Sequence, residues 1–197
     1  MIIAKLNNMK IRDSGMPEEI TWSKFFDPEL ILEQMEITPD LHSVVDLGCG
    51  FGTFSIPASQ LIKGKIHAFD IDIEMIQQVQ SKIDQLDIKN IELHLKDFIA
   101  EGSGLSENST DYVMVFNILH HDNPNQILKE VFRILKPGAK AGIVHWRSDI
   151  ETPRGPKLDI RPTPEQCIKW SNEAGFNILQ QPQILEPYHF GLIIQKP

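Results

Sequence analysis

The stretch VVDLGCGFG, at residues 44–52, governs how this chain folds more than any other part of it. It opens on two β-branched valines, which favour a strand. Asp46 follows, and glycines then fall at every second position, at Gly48, Gly50 and Gly52. Because glycine carries no Cβ, such a loop lets its backbone come very close to a bound molecule. The stretch therefore predicts a strand that ends in a ligand-binding loop with a carboxylate at its entrance.

The composition of this loop separates three classes of ligand. A phosphate-binding P-loop ends in Gly-Lys-Ser or Gly-Lys-Thr, but no Lys or Arg occurs between Val44 and Ile62. A dinucleotide fingerprint has the spacing G-x-G-x-x-G, whereas Thr53 occupies the third position after Gly50, which disfavours a nicotinamide-dependent oxidoreductase. Asp46 would also repel a pyrophosphate and attract a cation. The loop therefore favours a cationic ligand without phosphate, such as S-adenosylmethionine (SAM) with its sulfonium and ammonium groups.

Length, charge and cysteine content narrow the classes of protein further. The 197 residues suffice for one well-cored domain. The chain has 27 acidic and 19 basic side chains and a net charge of −8, which disfavours a nucleic-acid partner. Two cysteines without metal-type spacing fit a reducing, cytoplasmic environment. We also expect no membrane span, because no segment approaches the roughly 20 apolar residues that one needs.

From residue 43 onward, short apolar runs alternate with helical patterns, which predicts βαβ units and a mostly parallel sheet. The predicted strands are Ser43–Leu47, Lys65–Phe69, Ile91–Leu95, Tyr112–Phe116, Lys140–Trp146, Phe176–Gln180 and Phe190–Gln195. Apolar spacings of three and four and capping signals predict the helices. These helices are expected near residues 73–86, from Asn123 to a stop at Lys136-Pro137-Gly138, from Thr163 to Gly175, and at Trp22–Met35.

Val44–Ser55 resembles the first motif of class I SAM-dependent methyltransferases, an acid followed by G-x-G-x-G. The segments similar to the later motifs of that family follow in order: His67–Asp72, Lys96–Phe98, Asp111–His121 and Ile134–Gly138. The resemblance implies an α/β, Rossmann-like fold with helices on both faces of a seven-stranded sheet, in which only the last strand is antiparallel. It also implies that residues 1–42 form a helical segment covering the cofactor, ahead of a SAM-binding domain at residues 43–197.

The same resemblance implies where the cofactor binds. Asp70, at the end of the second strand, would accept the ribose hydroxyls, because a carboxylate takes two adjacent O–H donors well. The segment after the third strand would contact adenine. The implied cofactor-binding residues are Asp46, Gly48, Cys49, Gly50, Gly52, Asp70, Ile71, Asp97, Phe98 and Asn117.

The catalytic candidates are Asn117, His120 and His121, which follow the fourth strand at the rim where acceptor and methyl group should meet. One interpretation is that Asn117 or a histidine contacts the acceptor or takes its proton. The alternative is that the first histidine packs beneath the cofactor and the second caps the next helix. We expect no resident metal, although His120, His121, Asp122 and His145 together carry suitable ligand atoms.

The candidate acceptor-binding residues are His145, Arg154 and Arg161, at the end of the fifth strand and in the loop beyond it. Arginines on a proline-stiffened loop can pair with an anionic substrate. They can equally pair with nearby acids such as Asp149 or Glu151.

The resemblance implies methyl transfer from SAM to an acceptor. Asn117-Ile118-Leu119 stands where DNA amino-methyltransferases carry Asn or Asp followed by Pro-Pro and an aromatic residue. Together with the acidic charge, this favours a small-molecule acceptor, and the overall pattern is related to quinone-biosynthesis methyltransferases. The alternative is a protein of the same fold that binds SAM or S-adenosylhomocysteine (SAH) without transferase activity.

Overall fold

Strands and helices alternate along the part of the chain that the structure, a computed structural model, describes: residue 25 and residues 27–197. The strands are β1 (Ser43–Leu47), β2 (Lys65–Asp70), β3 (Ile91–Leu95), β4 (Thr110–Phe116), β5 (Leu135–Trp146), β6 (Asn177–Leu185) and β7 (His189–Gln195). The α-helices are α1 (Pro28–Gln34), α2 (Ser55–Leu61), α3 (Ile73–Gln85), α4 (Phe98–Glu101), α5 (Pro124–Ile134) and α6 (Pro164–Glu173).

Within the described residues these strands form one seven-stranded sheet in the order β3-β2-β1-β4-β5-β7-β6. The pairs of β1 with β2 and β4 are parallel, whereas β7 runs antiparallel to both β5 and β6. The predicted mostly parallel sheet with an antiparallel last strand is therefore confirmed. The chain moves outward from β1 to β3 and then returns to β4, so the strand order reverses between β1 and β4. The carboxyl ends of the strands at such a reversal are the usual ligand site of open α/β sheets.

Helices cover both faces of the sheet because successive residues of each strand point to opposite sides. Val44 belongs to one apolar cluster, which includes Val79 of α3. Val45 belongs to a second cluster, which includes Ile127 of α5 and Cys167 of α6. The inner strands β1, β4 and β7 are thus buried on both faces, which explains why their sequences are rich in apolar residues.

The segment before β1 contributes one described helix. Asp27 caps α1 by accepting a hydrogen bond from the Leu30 N–H, and Ile31 and Leu32 are buried. This helix lies inside the predicted Trp22–Met35 region. The rest of the predicted N-terminal segment, residues 1–24 and 26, lies outside the described residues, and its role as a cover for the cofactor stays a prediction. In the described part of the chain, no helix combines the length and apolar character needed to cross a bilayer.

The predicted start of β5 was wrong by five residues. The sequence Lys136-Pro137-Gly138 predicts a turn, but the strand begins at Leu135, directly after α5. The Gly138 N–H donates to the Lys196 carbonyl, and the Lys196 N–H donates to the Ala139 carbonyl. These contacts with the far end of the chain hold the segment extended, which no local signal reveals.

Removing the Tyr112 hydroxyl should destabilise the fold. This hydroxyl is buried on β4 and donates to the Met35 carbonyl at the end of α1, at 2.5 Å. We expect Tyr112→Phe to lower the free energy of unfolding by about 1 kcal/mol, the usual net value of a buried hydrogen bond. Urea unfolding measures it, with Tyr188→Phe at a half-buried ring as the control. Equal stability of Tyr112→Phe and the native chain would contradict the assigned bond.

Candidate active site

The glycine loop after β1 is attached to the end of β2 through its own backbone. The N–H groups of Gly48 and Cys49 both donate to the Phe69 carbonyl, at 2.9 and 2.8 Å. The next N–H, of Gly50, donates to Asp70 Oδ2 at 2.8 Å. Three consecutive amides therefore have acceptors within the protein and do not form the cradle of N–H donors that binds phosphate groups. The loop can approach a ligand closely without holding an anion.

The glycines of this loop are required by both conformation and space. Gly48, Gly50 and Gly52 have φ values of +80°, +51° and +76°, in the left-handed region that favours glycine. A Cβ at Gly48 would lie 2.9 Å from Ile118 Cγ2, and one at Gly52 would lie 3.1 Å from Ile56 Cγ1. The alternating glycines thus let the loop turn tightly between β1 and α2.

Two acids stand at this loop, and both are desolvated. Asp46 is buried and accepts a hydrogen bond from Ser55 Oγ at 2.5 Å. Burial, together with the nearby Asp70, raises the pKa of Asp46 to about 7, although the hydrogen bond from Ser55 opposes this shift. Burial also raises the pKa of Asp70, whose Oδ1 accepts from the Asp72 N–H at 2.9 Å, while Ile71 between them is half-buried. A cationic ligand would stabilise the ionised form of both carboxyl groups.

The two cysteine thiols are unsuited to nucleophilic chemistry. Cys49 in the loop and Cys167 on α6 are free and buried. Burial raises the pKa of Cys49 well above its ordinary value and that of Cys167 to about 12. Both therefore stay protonated at neutral pH, which favours a packing role for Cys49.

The segment after β3 places an unpaired acceptor in the interior. Asp97 is buried, and its Oδ1 caps α4 by accepting from the Ile99 and Ala100 N–H groups, at 3.1 and 3.0 Å. Its Oδ2 is also buried but has no hydrogen-bond partner in the described part of the chain. Phe98 packs edge-on against Phe69. An unpaired buried acceptor is destabilising, so this position suits a ligand that brings a donor, such as an exocyclic amine.

Asn117 ends β4 in an unusual conformation. Its φ is +56°, which is uncommon outside glycine, and its N–H donates to the Val144 carbonyl at 2.7 Å. Its Oδ1 is buried without a hydrogen-bond partner among residues 27–197. A strained backbone conformation together with an unpaired polar atom is typical of ligand-binding positions.

The histidines beyond β4 have different surroundings. His120 Nδ1 lies 3.3 Å from Nε2 of His145, which is fully buried on β5. Burial lowers the pKa of His145 well below its ordinary value, so its ring is neutral. His121 Nδ1 instead accepts a hydrogen bond from the N–H of Asn123, the N-cap of α5. Of these two histidines, His120 contacts β5 and His121 contacts the start of α5.

The loop beyond β5 is organised around Arg161. This guanidinium is buried and donates to the carbonyls of Pro156 and Arg147, at 2.7 and 2.9 Å, and to Thr152 Oγ1. The Asp149 carboxylate is bound by Arg147 instead. Contact between Arg161 and an anionic acceptor stays a prediction. The described partners of Arg161 are backbone carbonyls and a hydroxyl group, so this side chain anchors the loop. Arg154, also predicted to contact the acceptor, is exposed.

The strand order, the antiparallel β7 and the acid-flanked glycine loop together define a class I methyltransferase fold. A methyltransferase-domain family model matches residues 44–138. This match supports the predicted resemblance to class I SAM-dependent methyltransferases, and it implies SAM as the cofactor.

The chain is similar to several known proteins. It is 33% identical over 105 residues to the biotin biosynthesis bifunctional protein BioHC of Teredinibacter turnerae, over 49% of this chain and 18% of that one. It is 28% identical over 109 residues to a demethylmenaquinone methyltransferase of Listeria welshimeri, over 52% of this chain and 44% of that one. The matches thus span less than half of either relative. A SAM-dependent methyltransferase of Aquifex aeolicus shares the fold, with a TM-score of 0.80, 23% identity and 98% of each chain covered.

The residues present fit SAM. Asp46 and Asp70 offer negative charge in a desolvated setting, which suits the sulfonium and ammonium groups. Asp97 Oδ2 and Asn117 Oδ1 offer buried acceptors that lack donors. Sequence reasoning missed Ser55, which holds Asp46, because a helical serine gives no signal of a partner nine residues earlier.

Blocking the glycine loop should abolish SAM binding. We expect Gly50→Val, which places a branched side chain at a left-handed position beside Asp70, to remove the rise in melting temperature that SAM produces. Gly138→Val is the matched control, because Gly138 also has a positive φ (+79°) but has open space around it. Thermal-shift assays measure both, and a SAM shift in Gly50→Val would refute the loop assignment.

Replacing Asp70, the second acid at the glycine loop, should also abolish SAM binding. We expect Asp70→Ala to abolish the SAM-induced thermal shift, because it deletes the proposed acceptor for the ribose hydroxyls. Asp84→Ala, at an exposed position on α3, is the control and should keep the shift. Retained binding in Asp70→Ala would show that this carboxylate is not a ligand.

Asp46→Asn should stabilise the ligand-free protein at high pH. The ordinary pKa of the carboxyl is 3.8 and its folded value is about 7, so the folded state loses stability as pH rises across this window. Asparagine does not titrate, so the gain in melting temperature should grow from about pH 4.5 to about pH 8. Differential scanning calorimetry measures it, with Asp84→Asn as the control. A gain that is the same at both pH values would contradict the raised pKa.

Proposed function

We propose that this protein transfers a methyl group from SAM to a small-molecule acceptor. The observation that carries the proposal is the glycine loop, whose amides at Gly48, Cys49 and Gly50 are occupied and whose flanking acids are desolvated. That combination disfavours phosphate-containing cofactors and favours a cationic nucleoside. When bound, SAM supplies a methyl group already activated for in-line displacement.

Each part of the cofactor has a proposed set of residues. The loop from Gly48 to Gly52 lets the backbone lie against the ligand, and Asp46 contributes negative charge behind it. Asp70 retains lone pairs beyond those used by Gly50 and Asp72, so its carboxylate can accept ribose hydroxyls. Asp97 Oδ2 would accept from the adenine amine, with Ile71 and Phe98 as apolar neighbours, and Asn117 Oδ1 would accept from the ligand's remaining donors.

The acceptor side is proposed to lie beyond β4 and β5. His145 Nδ1 lies 3.3 Å from the Trp146 carbonyl, so it carries the proton there and His145 Nε2 accepts from His120 Nδ1. In this tautomer His120 Nε2 keeps its lone pair and can take a proton from the acceptor. His145 would then act as a positioning residue for His120. His121, Arg154 and Arg161 remain candidates for contacts with the acceptor or its charge.

A small-molecule acceptor is supported by charge and by similarity. The net charge of −8 is unfavourable for tracking phosphates. A relative over half of this chain is named as a demethylmenaquinone methyltransferase, which agrees with the related sequence pattern. Two free, buried thiols fit a cytoplasmic, reducing location, which is part of the proposal.

The first experiment compares ligands and then turnover. Thermal-shift assays should show stabilisation by SAM and SAH and none by NAD. Conversion of SAM to SAH is then followed with a panel of small hydroxyl, amine and activated-carbon acceptors, quinols included. Binding without turnover on any of them would favour the SAM-binding alternative without transferase activity. Stabilisation by NAD instead of SAM would overturn the proposal.

The preference for SAM over SAH should increase with pH. The two ligands differ in the sulfonium charge, so their affinity ratio reports how strongly the ionised acids favour that charge. Because the pKa of Asp46 is about 7, we expect the ratio to rise between about pH 6 and about pH 8. Calorimetric titration measures it, and the slope should flatten in Asp46→Asn. A ratio independent of pH in the native chain would remove Asp46 from the electrostatic argument.

A further inference from the structure

Three metal-ligating side chains meet on the outer strands of the sheet, away from the proposed acceptor side. Parallel pairing sets His67 of β2 opposite Glu92 of β3. His94 lies two residues further along β3, so it points to the same face as Glu92. The group lies on the face of the sheet that also carries Phe69.

The ligand atoms of these three residues already lie close together. His67 Nδ1 is 3.2 Å from His94 Nε2. Glu92 Oε2 is 3.9 Å from His67 Nδ1, and Glu92 Oε1 is 3.7 Å from His94 Nε2. A tetrahedral ion with metal–nitrogen bonds of 2.0–2.1 Å sets its ligand atoms about 3.4 Å apart. The side chains therefore need to move by only a few tenths of an ångström to share one ion.

Imidazole nitrogens and a carboxylate oxygen are the ligand atoms that these three residue types offer a metal. The charged neighbours of the group are lysines. Lys65 lies 3.0 Å from Glu92 Oε2 and competes for one oxygen, but this ion pair is half-exposed and weak. Lys96 is the other cation that acts on His94.

The site is held in place by the sheet. The His94 ring stacks on Phe69, with ring centroids 4.4 Å apart and planes 13° from parallel, which orients its imidazole. The side chains of His67 and His94 are 17% and 24% exposed, whereas Glu92 is 47% exposed, so solvent reaches the group at Glu92. Ligands that project from paired strands are positioned more rigidly than ligands on loops.

We propose that His67, Glu92 and His94 bind a divalent transition-metal ion, with zinc as the first candidate and water in the remaining position. Two imidazoles and one carboxylate suit zinc and its neighbours in the first transition series, whereas magnesium and calcium prefer oxygen ligands alone. The site does not depend on methyl transfer. It would crosslink β2 and β3 next to Phe69, whose carbonyl binds the glycine loop.

The test is direct metal titration of the untagged 197-residue chain. Zinc affinity is measured by competition with a chromophoric chelator, and cobalt is used as a visible probe of ligand type. We expect one ion per chain, and a cobalt spectrum without the sulfur charge-transfer band that Cys49 or Cys167 would give. His94→Gln and Glu92→Gln should each weaken zinc binding by about 100-fold or more, because losing even an outer-shell partner costs 10–100-fold.

Two controls keep the result interpretable. Glu92 is half-exposed, so Glu92→Gln should fold even if a histidine variant does not. His42→Gln, at an exposed histidine outside the group, and His120→Gln, at the other histidine pair, should both bind zinc as the native chain does. No binding by the native chain, a sulfur band with cobalt, or unchanged affinity in Glu92→Gln and His94→Gln would overturn the proposal.

Discussion

The site depends on the bonding of three consecutive loop amides to the end of β2. A glycine loop between a strand and a helix ordinarily exposes N–H groups, and exposed N–H groups attract anions. Here Phe69 and Asp70 accept those hydrogen bonds, so these N–H groups no longer attract anions. The negative charge of the acidic side chains then sets the electrostatic potential at the loop. The same bonds fix the distance between β1 and β2 at their carboxyl ends. One set of contacts thus decides both the shape of the loop and the sign of charge it tolerates.

In this arrangement the demands of stability and of ligand binding conflict, because a buried acid destabilises the free protein but favours a bound cation. Asp46 is buried with a single hydroxyl donor, which does not offset its desolvation, and Asp70 adds repulsion. A protein under selection for stability alone would replace such a carboxyl with a neutral side chain. The presence of Asp46 in a destabilising position is understandable if a cation binds there and recovers the lost free energy. Asp97 Oδ2 and Asn117 Oδ1 follow the same logic as buried acceptors whose donors would come with the ligand.

The part of the fold from β1 to β3 could be predicted from sequence because its signals are local. Alternating glycines, an acid at a strand end and capping residues each act within a few positions, and β1 and β3 were predicted with the boundaries observed. The start of β5 could not be predicted in this way, because Gly138 and Ala139 are hydrogen-bonded to Lys196, which lies far away in the sequence. The strained backbone of Asn117 is likewise set by its bond to Val144 on the next strand. Local patterns carry no information on such pairings.

The same distinction explains what happens to individual polar residues. Arg161 and Arg154 look equivalent in sequence, but folding buries the first among backbone carbonyls and leaves the second exposed. His120 and His121 are adjacent, yet only His120 reaches His145. His67 and His94 are 27 residues apart in sequence, and their rings come together only when β2 and β3 pair. A side chain's chemistry follows from its residue type, but whether it anchors a loop, meets an acceptor or shares an ion follows from the strand register, which is a property of the folded sheet.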